Sequence, residues 1–378
     1  MPQALPKELV RRLVLVNAMV SFLMGSLAFS IQLIKRDFEL SRVVASYHNI
    51  GWASALVFIS MALLGHGHRR PAHETMRIGW LALVVGSLAY CFSPNVYFSV
   101  PAIALAASGS VICGNTGLAI LGSHSKTALK NMFRSTGIGL FVGSVSPTVI
   151  GITTQVEIPW RWTVGATAVL IGTAAYFVIP ELDARPEPMG EHHKIIWNKS
   201  IFVIVFFAFL VITMEVSLSA WAIDLLNERG AQVKTSVLVA TIAPYFLALV
   251  RIYLSTKDEF RLNRIWTFSV ISIVLGVTLI IFSNSVTLTL VGLIIAAAGI
   301  GPCGSIAVSN ASASDQGTDR GTAAFVIGMG LSAGASPWVM GFVSENFGFE
   351  AAYGVILIAL IPATYLFVKL NYLGTRKP

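Results

Sequence analysis

The stretch SVSPTVIG at Ser144–Gly151 recurs as GASPWVMG at Gly334–Gly341, and the two prolines are 190 residues apart. The same offset places AASGSVICGN (Ala106–Asn115) on AAAGIGPCGS (Ala296–Ser305). Two segments that keep one offset without a gap indicate an internal duplication. Because 190 residues is about half of this 378-residue chain, we expect two structurally similar halves.

The composition predicts an integral membrane protein. Hydrophobic residues make up 55% of the chain and charged residues 12%, whereas soluble domains carry about 25% charged residues. Each spanning helix needs about 20 mostly apolar residues. The uncharged runs predict six spans in each half, at 13–34, 43–68, 78–125 (two spans), 135–156, 162–180, 200–223 (interrupted by one Glu), 235–250, 265–314 (two spans), 321–344 and 351–368.

The topology follows from the number of spans and from the basic residues. Six spans return the chain to its starting side, so the halves form parallel repeats. We expect an N-terminal half at 1–180, a cytoplasmic linker at 181–198 and a C-terminal half at 199–378. Lys and Arg favour the cytoplasmic side of a membrane. With the N-terminus inside, nineteen of them face the cytoplasm and six the other side. Both termini are therefore predicted to be cytoplasmic, in a plasma membrane such as a bacterial inner membrane.

This arrangement resembles the major facilitator superfamily. The stretches IQLIKRDFELSRVVASYHNIGWASALVF (Ile31–Phe58), PWRWTVGA (Pro159–Ala166) and FGFEAAYGV (Phe347–Val355) are similar to family entries into spanning helices. The loop GHGHRRPAHETMR (Gly65–Arg77) keeps the Gly and basic pair of the family's hallmark loop but lacks its Asp. The resemblance implies an all-α fold of twelve spans and a secondary active transporter. Such a transporter would move a small solute by alternating access.

The fifth and eleventh predicted spans each carry three glycines and a proline at spacings of three or four residues, which places them along one helix face. These residues are Gly139, Gly143, Pro147, Gly151, Gly330, Gly334, Pro337 and Gly341. Small residues let membrane helices approach closely, and proline bends a helix. In the superfamily these two helices line the interface between the halves, so we expect a packing and gating role.

Glu215 is the one acidic residue in the middle of a predicted span. A carboxylate inside a membrane is costly and is by default a functional candidate. Its surroundings resemble the seventh helix of fucose permease-like sugar/proton symporters, in which the pattern E-x-x-x-x-x-W recurs. The resemblance assigns Glu215 and Trp221 and implies a sugar or similar polar metabolite. We expect Glu215 to carry the coupling proton.

Arg251 ends the eighth predicted span. The seventh span runs outward and the eighth inward, so at 1.5 Å per residue Glu215 and Arg251 differ in depth by roughly 15 Å. We therefore expect no direct ion pair between them. Arg251 either anchors the cytoplasmic gate or extends its charge to the membrane surface.

Uncharged polar residues and one histidine in the spans are candidates for lining a substrate cavity. Such groups suit hydroxyl-rich or amide-bearing ligands, although hydrogen bonds between helices explain each of them equally well. The candidates, with Trp221, are Asn17, Gln32, His48, Asn115, Tyr245 and Asn310.

Several function classes are disfavoured. The basic residues are scattered over many loops, which argues against nucleic-acid binding. The histidines at 66, 68 and 73 lack Cys or carboxylate partners, so neither a metal nor a cofactor is expected. The sequence contains no P-loop, which argues against ATP hydrolysis. A lone carboxylate argues against an enzyme.

We expect a monomer whose partners are a small-molecule substrate, protons and the lipid bilayer. Two alternatives stay open. One is a transporter-like ligand sensor. The other is a proton-coupled drug or metabolite exporter, because Gly139–Gly151 faintly resembles the fifth-helix motif of such exporters.

Overall fold

The computed structural model describes residues 5–66, 71–122, 127–179, 198–314 and 318–374. The regular structure of these ranges is α-helical. The helices are α1 (Lys7–Asp37), α2 (Arg42–His66), α3 (Ala72–Cys91), α4 (Val96–Gly122), α5 (Ala128–Gln155), α6 (Trp160–Val178), α7 (Lys199–Ala220), α8 (Ala222–Glu228), α9 (Val233–Ser255), α10 (Leu262–Phe282), α11 (Val286–Ser312) and α12 (Thr318–Gly374). Most of the predicted linker and part of the loop 65–77 lie outside the described residues, so the domain boundaries stay a prediction.

The helices account for the twelve predicted spans, although they divide them differently. α7 and α8 together form the seventh span. They are two helices because the backbone departs from helical geometry at Trp221 (φ −125°, ψ 21°). α12 contains the eleventh and twelfth spans, which are separated at Gly348, where the φ of 83° suits glycine. The turns predicted inside two long apolar runs are confirmed, since α3 ends at Cys91 and α10 ends at Phe282.

The surface of the bundle is apolar. In the described part of the chain, eight helices are long and apolar enough to cross a membrane. One of them, Arg320–Leu370, has 51 residues, which is about 77 Å of helix against about 30 Å of bilayer hydrocarbon and therefore two spans. Large apolar side chains point outward, such as Phe177 and Ile361, which are 77% and 73% exposed. The chain is therefore a multi-pass membrane protein.

The duplicated sequence makes the same helix contact in both halves. A Cβ on Gly86 of α3 would overlap the backbone nitrogen of Ala106 on α4, and one on Gly276 of α10 would overlap that of Ala296 on α11. The 190-residue offset relates the two contacts. Small residues allow this close approach of membrane helices. The duplication is therefore one of helix packing as well as of sequence.

The two halves meet along two pairs of helices. α5 packs against α9, and α12 packs against α2, while α4 and α5 also reach α11. We call the membrane face at which α1 begins and α12 ends the terminal face. At this face Lys130 of α5 and Asp258, just after α9, form an ion pair with an N–O distance of 2.6 Å. The halves are therefore in contact at the terminal face.

Candidate functional site

A buried ion pair links α7 to α9. Arg251 Nη2 lies 2.5 Å from Glu215 Oε2, and the side chains are 7% and 19% exposed. Arg251 Nε also donates a hydrogen bond to the carbonyl oxygen of Gly301 on α11, at 2.7 Å. The pair thus ties together three helices of the C-terminal half.

The expectation that Glu215 and Arg251 lie too far apart in depth to pair is wrong. That estimate compared Cα positions only. Side chains in an α-helix lean towards the helix N-terminus. Because α7 and α9 run in opposite directions, Glu215 leans towards the terminal face and Arg251 leans away from it. The two long side chains therefore converge across the difference in backbone depth.

Two glycines make room for this pair. A Cβ on Gly304 of α11 would lie 2.9 Å from Arg251 Nη2 and 3.2 Å from Glu215 Oε2. A Cβ on Gly137 of α5 would lie 2.9 Å from Arg251 Cβ and 3.0 Å from the backbone nitrogen of Ile252. Gly137 belongs to the N-terminal half and the other residues to the C-terminal half. The ion pair therefore lies directly behind a contact between the halves.

Further contacts close the terminal face below the ion pair. The ring centroids of Phe133 and Phe260 are 5.6 Å apart. The hydroxyls of Thr136 on α5 and Ser305 on α11 are 2.8 Å apart. The hydrogen bond and the positive charge of Lys130 lower the pKa of the Asp258 carboxyl. Charged, aromatic and hydroxyl contacts between the halves thus lie one above another along α5.

Trp221 lies at the break between α7 and α8 and is 7% exposed. Its indole Nε1 donates a hydrogen bond to the carbonyl oxygen of Pro337, at 2.9 Å. A Cβ on Gly341 would lie 3.4 Å from the indole ring. Pro337 and Gly341 belong to the repeated stretch of the eleventh span, so this stretch holds the broken helix in place.

Besides Trp221, three of the cavity candidates form hydrogen bonds between or within helices. His48 is fully buried, with Nδ1 at 3.0 Å from the Ala45 carbonyl oxygen and Nε2 at 2.8 Å from Ser99 Oγ. Asn17 Nδ2 donates to the carbonyl oxygen of Ser135 at 2.9 Å. His48 is thus part of the packing of α2 against α4 rather than of an open vestibule.

Asn115 is the third of these, and its Nδ2 donates to Ser60 Oγ at 3.3 Å. Asn115 Oδ1 and Asn310 Nδ2 are buried and have no hydrogen-bond partner among the described residues. Tyr245 of α9 contacts Phe141 of α5 edge-on, with ring centroids 5.4 Å apart. Gln32 is half-buried on α1. Among the described residues, none of these hydrogen bonds and ring contacts joins a candidate to Glu215.

Two of the predicted glycines of the fifth span, Gly139 and Gly143, pack within their own half. A Cβ on Gly139 would lie 2.7 Å from Asn17 Nδ2, and one on Gly143 would lie 2.9 Å from the carbonyl oxygen of Ser21 on α1. Gly151 has open space where a Cβ would be. The close packing predicted for Gly139 and Gly143 is present, but their partner is α1 rather than the other half.

Two glycines of the eleventh span, Gly330 and Gly334, do pack across the interface between the halves. A Cβ on Gly330 would lie 2.7 Å from Leu56 Cβ, and one on Gly334 would lie 2.7 Å from Ala53 Cβ, both on α2. The 190-residue offset would place the equivalents of Gly139 and Gly143 at 329 and 333, one residue earlier. One residue turns a helix face by about 100°. The two sets of glycines therefore face different helices.

Three residues of this region escaped the sequence reasoning. Gly304 was visible only as part of the duplicated stretch, Gly137 carried no signal beyond its place in the fifth span, and Lys130 counted only among the basic residues of the cytoplasmic side. Asp258 stands out as an acidic residue in the loop after the eighth span. Its partner on the other half is a tertiary contact, which spacing along the chain does not reveal.

Comparison with known proteins identifies the fold. No family model matches this chain, and no curated protein matches it by sequence. Solved structures do match. The proton:xylose symporter XylE has a TM-score of 0.74 at 12% identity, covering 95% of both chains. The E. coli fucose:proton symporter FucP has a TM-score of 0.71 at 10% identity, covering 97% of this chain and 99% of that one. The human organic anion transporter MFSD10 has a TM-score of 0.66 at 14% identity, covering 95% of this chain and 100% of that one. The chain has the fold of these transporters.

Proposed function

We propose that this chain, a multi-pass membrane protein with the major facilitator fold, is a secondary transporter that couples a small polar solute to protons at Glu215. The observation that carries the proposal is the buried pair of Glu215 and Arg251 behind the contact with Gly137. Intramembrane charges are costly and mark ion or substrate pathways. Here one acidic and one basic group are held where the two halves must separate during alternating access.

The pair offers a physical link between protonation and conformation. While Glu215 is ionised, each charge compensates the other. When Glu215 takes up a proton, Arg251 keeps a buried charge without its partner, which costs about 3–5 kcal/mol. Arg251 relieves this cost by moving towards water or another acceptor. Because its Cβ packs against Gly137, that movement loosens α5 from α9 and opens the terminal face.

The contacts at the terminal face define the state in which the proton is accepted. With the Lys130–Asp258 ion pair and the Thr136–Ser305 hydrogen bond formed, the solute pathway is closed at this face. We infer that the pathway is open to the opposite face, which is external if the termini are cytoplasmic. The Glu215 side chain is 19% exposed, and we propose that it exchanges its proton with water that enters from that opposite face.

For the substrate we propose a sugar or a similar polar metabolite. FucP and XylE are named as proton symporters of fucose and xylose. In this chain Asn115 Oδ1 and Asn310 Nδ2 are buried without a hydrogen-bond partner among the described residues. Hydroxyl-rich ligands supply the donors and acceptors that such groups need.

Transport in proteoliposomes tests the proposal. A thermal-shift screen over sugars, organic acids and cationic drugs first identifies a ligand, because a ligand of the folded state raises its stability. For one coupled proton, a gradient of one pH unit supports about tenfold accumulation of that ligand. We expect Glu215→Gln to abolish this accumulation but to keep counterflow exchange. The matched control is Glu157→Gln, which changes an exposed carboxyl in the α5–α6 turn.

Each other outcome identifies an alternative. Wild-type pH dependence in Glu215→Gln means that the proton runs elsewhere. Saturable binding without counterflow in the wild type indicates a ligand sensor. Accumulation driven in the outward direction, with cationic drugs as ligands, indicates an exporter.

A further inference from the structure

An apolar groove lies on the surface where α2 meets the first part of α12. It has a volume of approximately 380 Å³. Ile50, Ser54 and Phe58 form the α2 wall, and Leu331 and Trp338 contribute to the α12 wall. The groove therefore has one wall from each half of the protein.

The groove opens away from the interior of the bundle. Phe58, Leu331 and Trp338 are 69%, 45% and 48% exposed. The adjacent face of α12 points inward, where Ser332 is buried and its hydroxyl lies 3.0 Å from that of Thr213 on α7. The exposed rim and the buried inner face together orient the groove towards the membrane.

Its depth places the groove among lipid acyl chains. Ile50 lies eight residues after the start of α2 at Arg42, which is about 12 Å along the helix. Of the nine residues that line the groove, Ser54 is the one polar residue and none is charged. Such a lining offers nothing to a headgroup or a polar solute but matches a hydrocarbon chain. We propose that the groove binds one acyl chain of a bilayer lipid.

A chain in this groove contacts both halves at once. The floor is the close contact of Gly334 with Ala53, where an added Cβ would lie 2.7 Å from its neighbour. A rocking motion of the halves about this contact changes the distance between the walls. The acyl chain therefore stabilises the arrangement in which both walls reach it.

Photo-crosslinking with a labelled lipid tests the site. The full chain is reconstituted into vesicles of phosphatidylethanolamine and phosphatidylglycerol that contain a trace of phosphatidylcholine with a diazirine on one acyl chain. After irradiation, mass spectrometry maps the modified residues. We expect modification to concentrate at 50–58 and 331–338 rather than on the exposed surface of α6.

A groove-filling variant provides the decisive comparison. Ala335 lines the groove, and the ring of Ala335→Phe, which takes the place of the acyl chain, should lower the modification there to the level found on α6. Ala166→Phe adds the same ring to the exposed surface of α6 and should leave groove modification unchanged. If Ala335→Phe does not fold, Ser54→Phe fills the groove from the other wall. Equal labelling of the groove and α6 in the wild type, or equal effects of the two phenylalanines, would overturn the proposal.

Discussion

Neutralising the two members of the buried ion pair, singly and together, measures how strongly they depend on each other. Glu215→Gln and Arg251→Gln each keep much of the side-chain shape but remove one charge. Either change leaves the remaining partner as an uncompensated charge in a buried site. The double variant removes both charges and leaves two neutral amides. The three variants with the wild type form a double-mutant cycle.

The magnitude follows from the burial and the contacts of the pair. Removing one partner of a buried pair costs about 3–5 kcal/mol. Because the Glu215 side chain keeps 19% exposure, we expect about 3 kcal/mol for Arg251→Gln, which leaves the better-solvated charge. Glu215→Gln strands the less exposed Arg251 and should cost more, about 4–5 kcal/mol. The double variant loses mainly the hydrogen bond to the Gly301 carbonyl and should cost about 1–3 kcal/mol.

Two measurements separate a structural role from a coupling role. Titration with denaturing detergent gives the free energy of unfolding of the four proteins, and proteoliposome assays give counterflow and accumulation. We expect a coupling energy of about 4–7 kcal/mol. We also expect the double variant to regain stability and, like Glu215→Gln, to keep counterflow without proton-driven accumulation. Additive effects within about 0.5 kcal/mol would refute the pairing. Full recovery of accumulation in the double variant would show that the pair is structural only.

Three further predictions address the interface and the topology. Gly334→Leu should lower the free energy of unfolding by about 1–3 kcal/mol through overpacking against α2 and should slow counterflow more than it lowers expression. Gly151→Leu, which meets open space, should do neither, and equal effects of the two variants would mean that the contact is not specific. Asp258→Asn should speed labelling of a cysteine placed at Thr136 by an impermeant thiol reagent from the terminal face. The thiolate is the reactive form of a cysteine, so each rate is divided by that of an exposed reference cysteine at the same pH. Because the pKa of Asp258 is lowered, its carboxyl stays ionised from pH 8 to 5, and the divided wild-type rate should be flat there and rise only when the pH falls through that lowered pKa. Cysteines at Lys35 and Glu345 should react from outside the cell and one at Lys194 only after permeabilisation, and external labelling at 194 would overturn the predicted orientation.

The number of spans and the duplication could be predicted from the sequence, because both depend on local properties. A run of apolar residues must cross the membrane whatever its neighbours are, so even the turns hidden inside 78–125 and 265–314 were located. The repeat of Gly86 and Ala106 in Gly276 and Ala296 likewise appears as a helix contact in each half. The cost of an intramembrane carboxylate singled out Glu215 without any structure.

Tertiary structure alone decided what these residues contact. The pairing of Glu215 with Arg251 depends on the directions in which side chains lean on two antiparallel helices, and a depth count along the chain misses it. The glycines of the fifth and eleventh spans look equivalent in sequence, yet a displacement of one residue turns them towards α1 in one half and α2 in the other. Local composition determines which segments enter the membrane. The rotation and direction of each helix then determine which side chains meet, because a face only about 100° away belongs to a different neighbour.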